Sequence, residues 1–465
     1  MLLIKNGYLI DPKSKRKGIF DILIKDDRIV KISPFIQGID LTEEERKDLQ
    51  ILHVDNMMIA PGLVDVHVHF RDPGFTYKED IFTGAKAAAK GGFTTVVLMA
   101  NTKPVVDNLE TLQYVIDKGK ETDIHVFTCA SITKNLKGTE LTDMASLKSA
   151  DAIGFTDDGI PMMDESLVME AMKEAKELSV PLSFHEENPE LITNNGINRG
   201  KASSHYELEG SPRAAEIDLI ARDLSLAQEL DAPINIQHIS SKEGVELVRQ
   251  ANHEVIMKKN IPLPLAKTKE DITDISQADN SATQIIPMDV SQQINIHAEA
   301  TPHHFSLTED AVIEYGSLAK MNPPLRTEKD RQAIIRGLKD NTIDIIATDH
   351  APHSSEEKEK PITEAPSGII GLETALSLGI TNLVKKGHLS YMELLEKMTI
   401  NPATMYHLDC GYIAENGPAD LVIFNENSYT VDTFSSKSSN SPFKGKTFKG
   451  EIQYTICNGK IVYKK

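Results

Sequence analysis

Apolar and polar residues alternate in short stretches at both ends of the chain. Residues 2–10 (LLIKNGYLI), 21–32 (DILIKDDRIVKI) and 51–60 follow this rule, broken by Gly, Asp-Asp and Pro-Gly. Near the C-terminus, 420–424 (DLVIF) and 452–464 repeat it, with Asn458-Gly459 as a hairpin signal. Alternation of this kind predicts half-buried antiparallel strands. One small β domain, a β-sandwich-type unit built from residues 1–60 and 405–465, is therefore expected.

Between residues 61 and 404 the pattern changes to apolar strand-like runs separated by longer helical periodicities. The runs are 63–69, 94–99, 124–130, 152–156, 181–185, 234–238, 294–299 and 343–348. Helices are expected at 80–90, 165–178 and 242–258. Eight β units in about 340 residues predict an α/β chain organised as a (β/α)8, TIM-like barrel. A doubly wound sheet would carry a glycine-rich phosphate turn after its first strand, and none is present there. Residues 259–291, polar and punctuated by prolines, exceed a compact helix-to-strand connection and read as an insertion. Lying after a helix and before a strand, it should emerge on the N-terminal face of the barrel, away from the active-site loops.

Composition narrows the partners. The chain has 465 residues, with 50 Lys and Arg against 69 Asp and Glu, a net charge of −19. That balance argues against nucleic acid or an anionic membrane surface as the main partner. The three cysteines, Cys129, Cys410 and Cys457, are too far apart in sequence to spell a disulfide framework or a CxxC metal motif. With no basic leader and no apolar run near the roughly 18–20 residues of a membrane span, a cytoplasmic setting is expected.

Candidate chemistry gathers at the predicted C-terminal strand ends, where α/β barrels place their active sites. Strand one ends in His67-Val-His69, strand two in Asn101, strand four in Asp157-Asp158, strand five in His185, strand six in His238 and strand eight in Asp349-His350. A single histidine is usually a satisfied core or surface imidazole. Convergence of so many ends on one place favours a metal centre, since neutral imidazoles suit zinc and carboxylates complete or bridge such a site. His67 and His69 are two apart on a strand, so both should face the lumen. Val64, Val66 and Val68 should then face the helices. Alternation does not choose between Asp157 and Asp158.

Several motifs in order resemble the amidohydrolase superfamily and, within it, the type I dihydroorotase branch. They are PGLVDVHVHFRDPG at 61–74, KGGFTTVVLMANTKP at 90–104, GFTDDG at 154–159, TPHH at 301–304, KMNPPLR at 320–326, IATDHAPH at 346–353 and NGPADLVIF at 416–424. The resemblance implies reversible hydrolysis of (S)-dihydroorotate to N-carbamoyl-L-aspartate in pyrimidine (UMP) biosynthesis, with one or two Zn²⁺ per subunit. It implies that His67 and His69 hold one ion together with Asp349, which is also the general base. His185 and His238 hold a second ion, and Asp158 stands where many relatives carry a bridging carboxylated lysine. Substrate contacts are implied for His69, Arg71, Asn101, Asn322, His353, Ser367 and Gly368. Close relatives often have Phe where Ser367 stands. Without the family, Arg71 would read as a surface ion pair with Asp72 or Glu79.

His303 and His304 sit in a family motif but receive no ligand role, and loop packing is expected of them. A homo-oligomer is expected, with association with aspartate transcarbamoylase left open. The alternatives are another cyclic amidohydrolase, such as a hydantoinase or allantoinase, and a non-catalytic dihydroorotase-like partner of the transcarbamoylase. The missing strand-four lysine counts against the first, and the full set of histidines against the second.

Overall fold

In the computed structural model, which describes residues 1–37, 42–259, 261 and 294–465, the N-terminal stretches form strands with one face in a large apolar cluster and, at Leu3 and Leu23, a second face packed on Ile36. Leu2, Ile4 and Leu9 of β1 (Leu2–Asp11) pack on Ile22 and Ile24 of β2 (Arg16–Lys25) and Ile29 of β3 (Arg28–Ser33). Strand β4 (Gln50–His53) runs parallel to β1, and β5 (Met58–Pro61) leads into the barrel. The acidic run near residue 43 forms the short helix Glu43–Asp48.

The eight barrel strands follow in order: β6 (Leu63–Val68), β7 (Phe93–Leu98), β8 (His125–Thr128), β9 (Phe155–Thr156), β10 (Leu182–Phe184), β11 (Ile234–Ile236), β12 (Ile296–Ala300) and β13 (Ile345–Ile346). All their pairings are parallel. Two ladders, β6-β7-β8 and β9 to β13, are joined by the single bridges Ala130 to Phe155 and Val68 to His350, which close the barrel. Beyond it, β14 (Leu421–Thr430), β15 (Thr447–Cys457) and β16 (Lys460–Lys464) return to the first sheet, whose order is β16-β15-β14-β5-β1-β2-β3 with β4 on β1.

Local signals set the helix ends. Asp80 accepts from Thr83 N (2.9 Å) and opens Ile81–Lys90; Asp164 opens Glu165–Leu178; Ser241 accepts from Gly244 N (3.1 Å) and opens Lys242–Lys258. Each side chain satisfies a donor the first helical turn leaves free. The expected insertion 259–291 lies outside the described residues, Lys259 and Ile261 excepted. Among the described residues, no helix is long and apolar enough to cross a membrane.

Strict alternation fails in β6. Its register against β7 shifts between Asp65 and Val68, a bulge that puts Val64 and Val66 in a cluster with Val97, Met99, Cys129, Ile345, Ala347 and Tyr406. Only Val68 of the three valines joins the helix-facing core. Within the bulge Asp65 Oδ1 accepts from His67 N, and it also accepts from Thr348 N at the end of β13, both at 3.1 Å. Tyr406 plugs the lumen floor, its ring so close to Gly154 that a Cβ there would stand 2.5 Å from Cε1.

Candidate metal centre and substrate pocket

Four imidazoles and two carboxylates from five strand ends meet above the lumen floor. His67 is fully buried. Its Nε2 lies 3.4 Å from Asp158 Oδ1 and 3.6 Å from Asp349 Oδ1. His69 Nε2 lies 3.0 Å from Asp349 Oδ1 and 3.4 Å from Asp158 Oδ2. Opposite them, His185 Nδ1 and His238 Nε2 stand 3.0 Å apart, and each faces Asp158 Oδ1, at 3.8 and 3.9 Å. Asp158 thus belongs to two clusters of possible ligands, one with His67 and His69 and one with His185 and His238. Asp157 points elsewhere: its Oδ1 accepts from Ile132 N (2.8 Å) and Thr133 N (3.0 Å).

The backbone makes this convergence possible. His238 (φ 34°), Asp349 (φ 49°) and Arg71 (φ 59°) all adopt left-handed conformations that non-glycine residues rarely take. Strain of this kind costs on the order of 1–3 kcal/mol per residue and persists where the surroundings over-determine it. The Asp349 segment is tied on both sides, through Thr348 N to Asp65 and through His350 O to His69 N (2.9 Å).

Electrostatics favour a cation. Burial pushes the Asp158 carboxyl up, yet His67, His69 and His185 around it hold it well below the usual range. Burial depresses His67, but Glu299 and Asp158 outweigh it and raise the imidazole well above its ordinary value. Burial together with His185 and His67 keeps His238 neutral. The carboxylates that raise His67 make the place attractive to positive charge, and a divalent ion there would take the position of the imidazole proton.

Sequence reasoning passed over Glu299. From β12 it accepts from His67 Nδ1 (3.0 Å) and from Asn235 Nδ2 (2.5 Å). Asn235 also donates to Ser183 Oγ (3.1 Å), which sits 3.1 Å from Tyr406 Oη, so a polar chain links the floor to the histidine. The available signal was a carboxylate inside an otherwise buried strand run. His303 and His304 are both buried, and His304 bridges Thr301 Oγ1 and Pro323 O (2.8 and 3.0 Å).

The residues expected to contact substrate surround this centre. Asn101 Oδ1 accepts from His69 Nδ1 (2.9 Å), while its Nδ2 donates to Asp158 Oδ2 (3.0 Å). Asn322 Nδ2 lies 3.2 Å from His185 Nε2. Arg71 Nε donates to Pro352 O (3.3 Å), and its Nη2 lies 3.5 Å from His353 Nε2. Neither carboxylate proposed as its surface partner is engaged with it: Asp72 pairs with Lys118 (2.9 Å), and Glu79 lies beside His350 (3.4 Å). His353 donates from Nε2 to Ser367 O (2.8 Å) and accepts from Lys78 Nζ at Nδ1 (3.3 Å). Burial, with Arg71 and Lys78 alongside, keeps its ring neutral. Gly368 follows in the same turn, with φ 118°.

A second group, His125, Asp420 and Cys457, lies at the junction of β8 with the small sheet. Asp420 accepts from His125 Nε2 (3.0 Å) and Asn458 N (2.8 Å), and Cys457 Sγ donates to Thr94 O (3.7 Å). Burial pushes the Cys457 thiol up, and the bonds of His125 to Asp420 and of Cys457 to Thr94 O tie the barrel to the small sheet.

The chain is a closed parallel barrel with a histidine and aspartate cluster at its C-terminal mouth, a donor set suited to a divalent ion. Among solved structures, the fold is similar to the L-hydantoinase (dihydropyrimidinase) of Arthrobacter aurescens (TM-score 0.82, 24% identity, covering 100% of this chain and 96% of that one). It is also similar to the dihydropyrimidinase of Brevibacillus agri NCHU1002 (TM-score 0.78, 19% identity, 99% and 95% covered). Residues 56–244 match the dihydro-orotase-like family. Over 464 residues the chain is 53% identical to the dihydroorotase of Clostridioides difficile, covering all of both chains. It is 50% identical to that of Clostridium acetobutylicum over 466 residues (100% and 99% covered) and 48% identical to that of Lactococcus lactis over 464 residues (99% of each). The chain belongs to the dihydroorotase family.

Proposed function

We propose that this chain is a zinc-dependent dihydroorotase, a cytoplasmic cyclic amidohydrolase that interconverts (S)-dihydroorotate and N-carbamoyl-L-aspartate for pyrimidine synthesis. The observation that carries the reading is Asp158 standing between the His67/His69 pair and the His185/His238 pair, with Asp349 beside the first. The residues fit an ion: among the described residues His67 Nε2 is buried without a hydrogen-bond partner, and it faces two carboxylate oxygens. His67, His69 and Asp349 would hold one zinc, His185 and His238 a second, and Asp158 would serve both. Bound zinc supplies Lewis acidity, lowering the pKa of water and polarising an amide carbonyl.

The chain's own residues do the rest. Asp349 takes the proton of the attacking water on its carboxylate and passes it to the departing ring nitrogen; in the synthetic direction the proton runs back. Asn101, accepting at Oδ1 from His69 Nδ1, fixes the imidazole so that Nε2 faces the carboxylates. Arg71 offers its fork to the substrate carboxylate, with His353 and the Ser367-Gly368 turn beside it and Asn322 across the pocket. Dihydroorotate is an anion, and Arg71 supplies the charge it needs.

Hydantoinase chemistry is the competing reading, because similar folds carry that name. The full-length relatives at 45–53% identity, all called dihydroorotase, favour the first. Zinc content measured on the purified protein, with turnover of dihydroorotate, hydantoin and allantoin, tests it. Turnover of dihydroorotate that is lost on chelation and restored by zinc is expected; preference for hydantoin or allantoin would overturn the reading.

A further inference from the structure

Residues 431–446 connect β14 to β15. Val431 N donates to Lys446 O (3.0 Å) and Gly445 N to Val431 O (2.8 Å), so they form the tip of one long hairpin. The tip crosses from the small sheet to the C-terminal face of the barrel. There Ser435 N and Ser436 N donate to Glu373 (2.8 and 3.0 Å), Lys437 N to Glu79 Oε1 (3.1 Å) and Ser438 Oγ to Lys78 O (2.7 Å). Glu79 and Lys78 belong to the loop that follows His69 and carries Arg71.

The tip buries Asn440, only 3% exposed, between two segments of the proposed carboxylate pocket. Asn440 Oδ1 accepts from His353 N (3.0 Å), and its Nδ2 donates to Ala351 O (3.0 Å) and Gly368 O (3.1 Å). Its backbone oxygen accepts from Ile370 N (3.0 Å). One acceptor and two donors on a short stem is what an asparagine amide provides; an aspartate would present acceptors to two carbonyls. Through this one side chain the His353 backbone and the 366–368 turn are fixed to each other, next to the bond from His353 Nε2 to Ser367 O.

We propose that Asn440 is a positioning residue for the substrate carboxylate, and that through the 431–446 hairpin tip the small sheet takes part in substrate binding. The inference rests on the dihydroorotase reading of the pocket. Without the amide, three backbone groups in two loops lose a partner, and the loops that present His353 and Ser367 relax. Asp349 is anchored differently, through Asp65 to Thr348 N and through His350 O to His69 N, so the metal centre and the proton transfer are spared.

The test is steady-state kinetics with zinc content on the full-length protein. Asn440→Ala should raise KM for dihydroorotate about tenfold or more, with kcat within about threefold and zinc content unchanged. Asn440→Asp, of nearly the same volume, removes both donors and is read in the same way if the alanine variant does not fold. Ser441→Ala, whose hydroxyl is bonded within the tip to Phe443 N (3.2 Å), should leave KM within about twofold. Arg71→Met run in parallel separates the two layers of the argument. An unchanged KM there overturns the carboxylate pocket itself. A raised KM there with an unchanged KM in the Asn440 variants overturns the positioning role alone. Loss of zinc, or a fall in kcat as large as the rise in KM, in the Asn440 variants would also overturn it, since it would mark a general scaffold role.

Discussion

Glu299 Oε2 accepts a hydrogen bond from His67 Nδ1 at 3.0 Å, joining β12 to β6 across the lumen from 232 residues away in the chain. The bond fixes which imidazole nitrogen is left to face Asp158 and Asp349. Carboxylate partners of this sort orient a metal-binding histidine and raise its basicity. Glu299→Gln keeps the shape and removes the charge. Zinc affinity should fall about 10–100-fold, read by competition with a chelator, while the fold by circular dichroism is kept. Unchanged affinity would show that His67 is oriented by packing alone.

Asp349 has two duties in the proposed chemistry, ligand and proton carrier. Asp349→Asn should lower kcat by about 10²–10⁴-fold while the ion at His185 and His238 is retained in metal analysis. A variant keeping more than about a tenth of the activity would remove the proton role from this residue.

Among the described residues Arg71 makes no ion pair, and its neighbour Asp72 is taken by Lys118 and Tyr114. Its fork is thereby available to an anionic ligand. Arg71→Met should cost on the order of 10²-fold in kcat/KM for dihydroorotate, with zinc content unaltered. Normal kinetics in a well-folded variant would take Arg71 out of the pocket.

Asp330 contributes to the acid sensitivity of the fold. Burial raises its carboxyl, but the Arg213 fork (2.8 and 2.9 Å), Thr327 and Lys242 N (3.0 Å) outweigh burial and bring it down to about 2. Depressed from 3.8, the group stabilises the folded state fully above about pH 4, and that contribution drains away as the pH falls through about 2. Arg213 is 33% exposed, so the pair is partly screened. Asp330→Asn should cost about 1–2 kcal/mol at neutral pH, and the difference from the native protein should shrink toward pH 2 in denaturant titrations. A difference that stays constant across that range would show that the charge is not the source.

The sequence by itself determined the (β/α)8 barrel, because each buried parallel strand needs an uninterrupted apolar run and each covering helix a 3.6-residue period. It also determined which strand ends carry histidine and aspartate, since ligands of a barrel site are read at the residues where those runs stop. Other features depended on chain segments meeting only after folding. Alternation could not choose between Asp157 and Asp158; the neighbours did, Ile132 and Thr133 taking the first and the imidazoles surrounding the second. Period two misplaced Val64 and Val66, because a bulge held by Asp65 and Thr348 changes the side each residue faces. Glu299 and Asn440 carry no local signature of their partners at all, lying 232 and 87 residues from His67 and His353. Hydrogen bonds across such separations are selected by the three-dimensional packing of strands and loops, so only the tertiary structure could decide them.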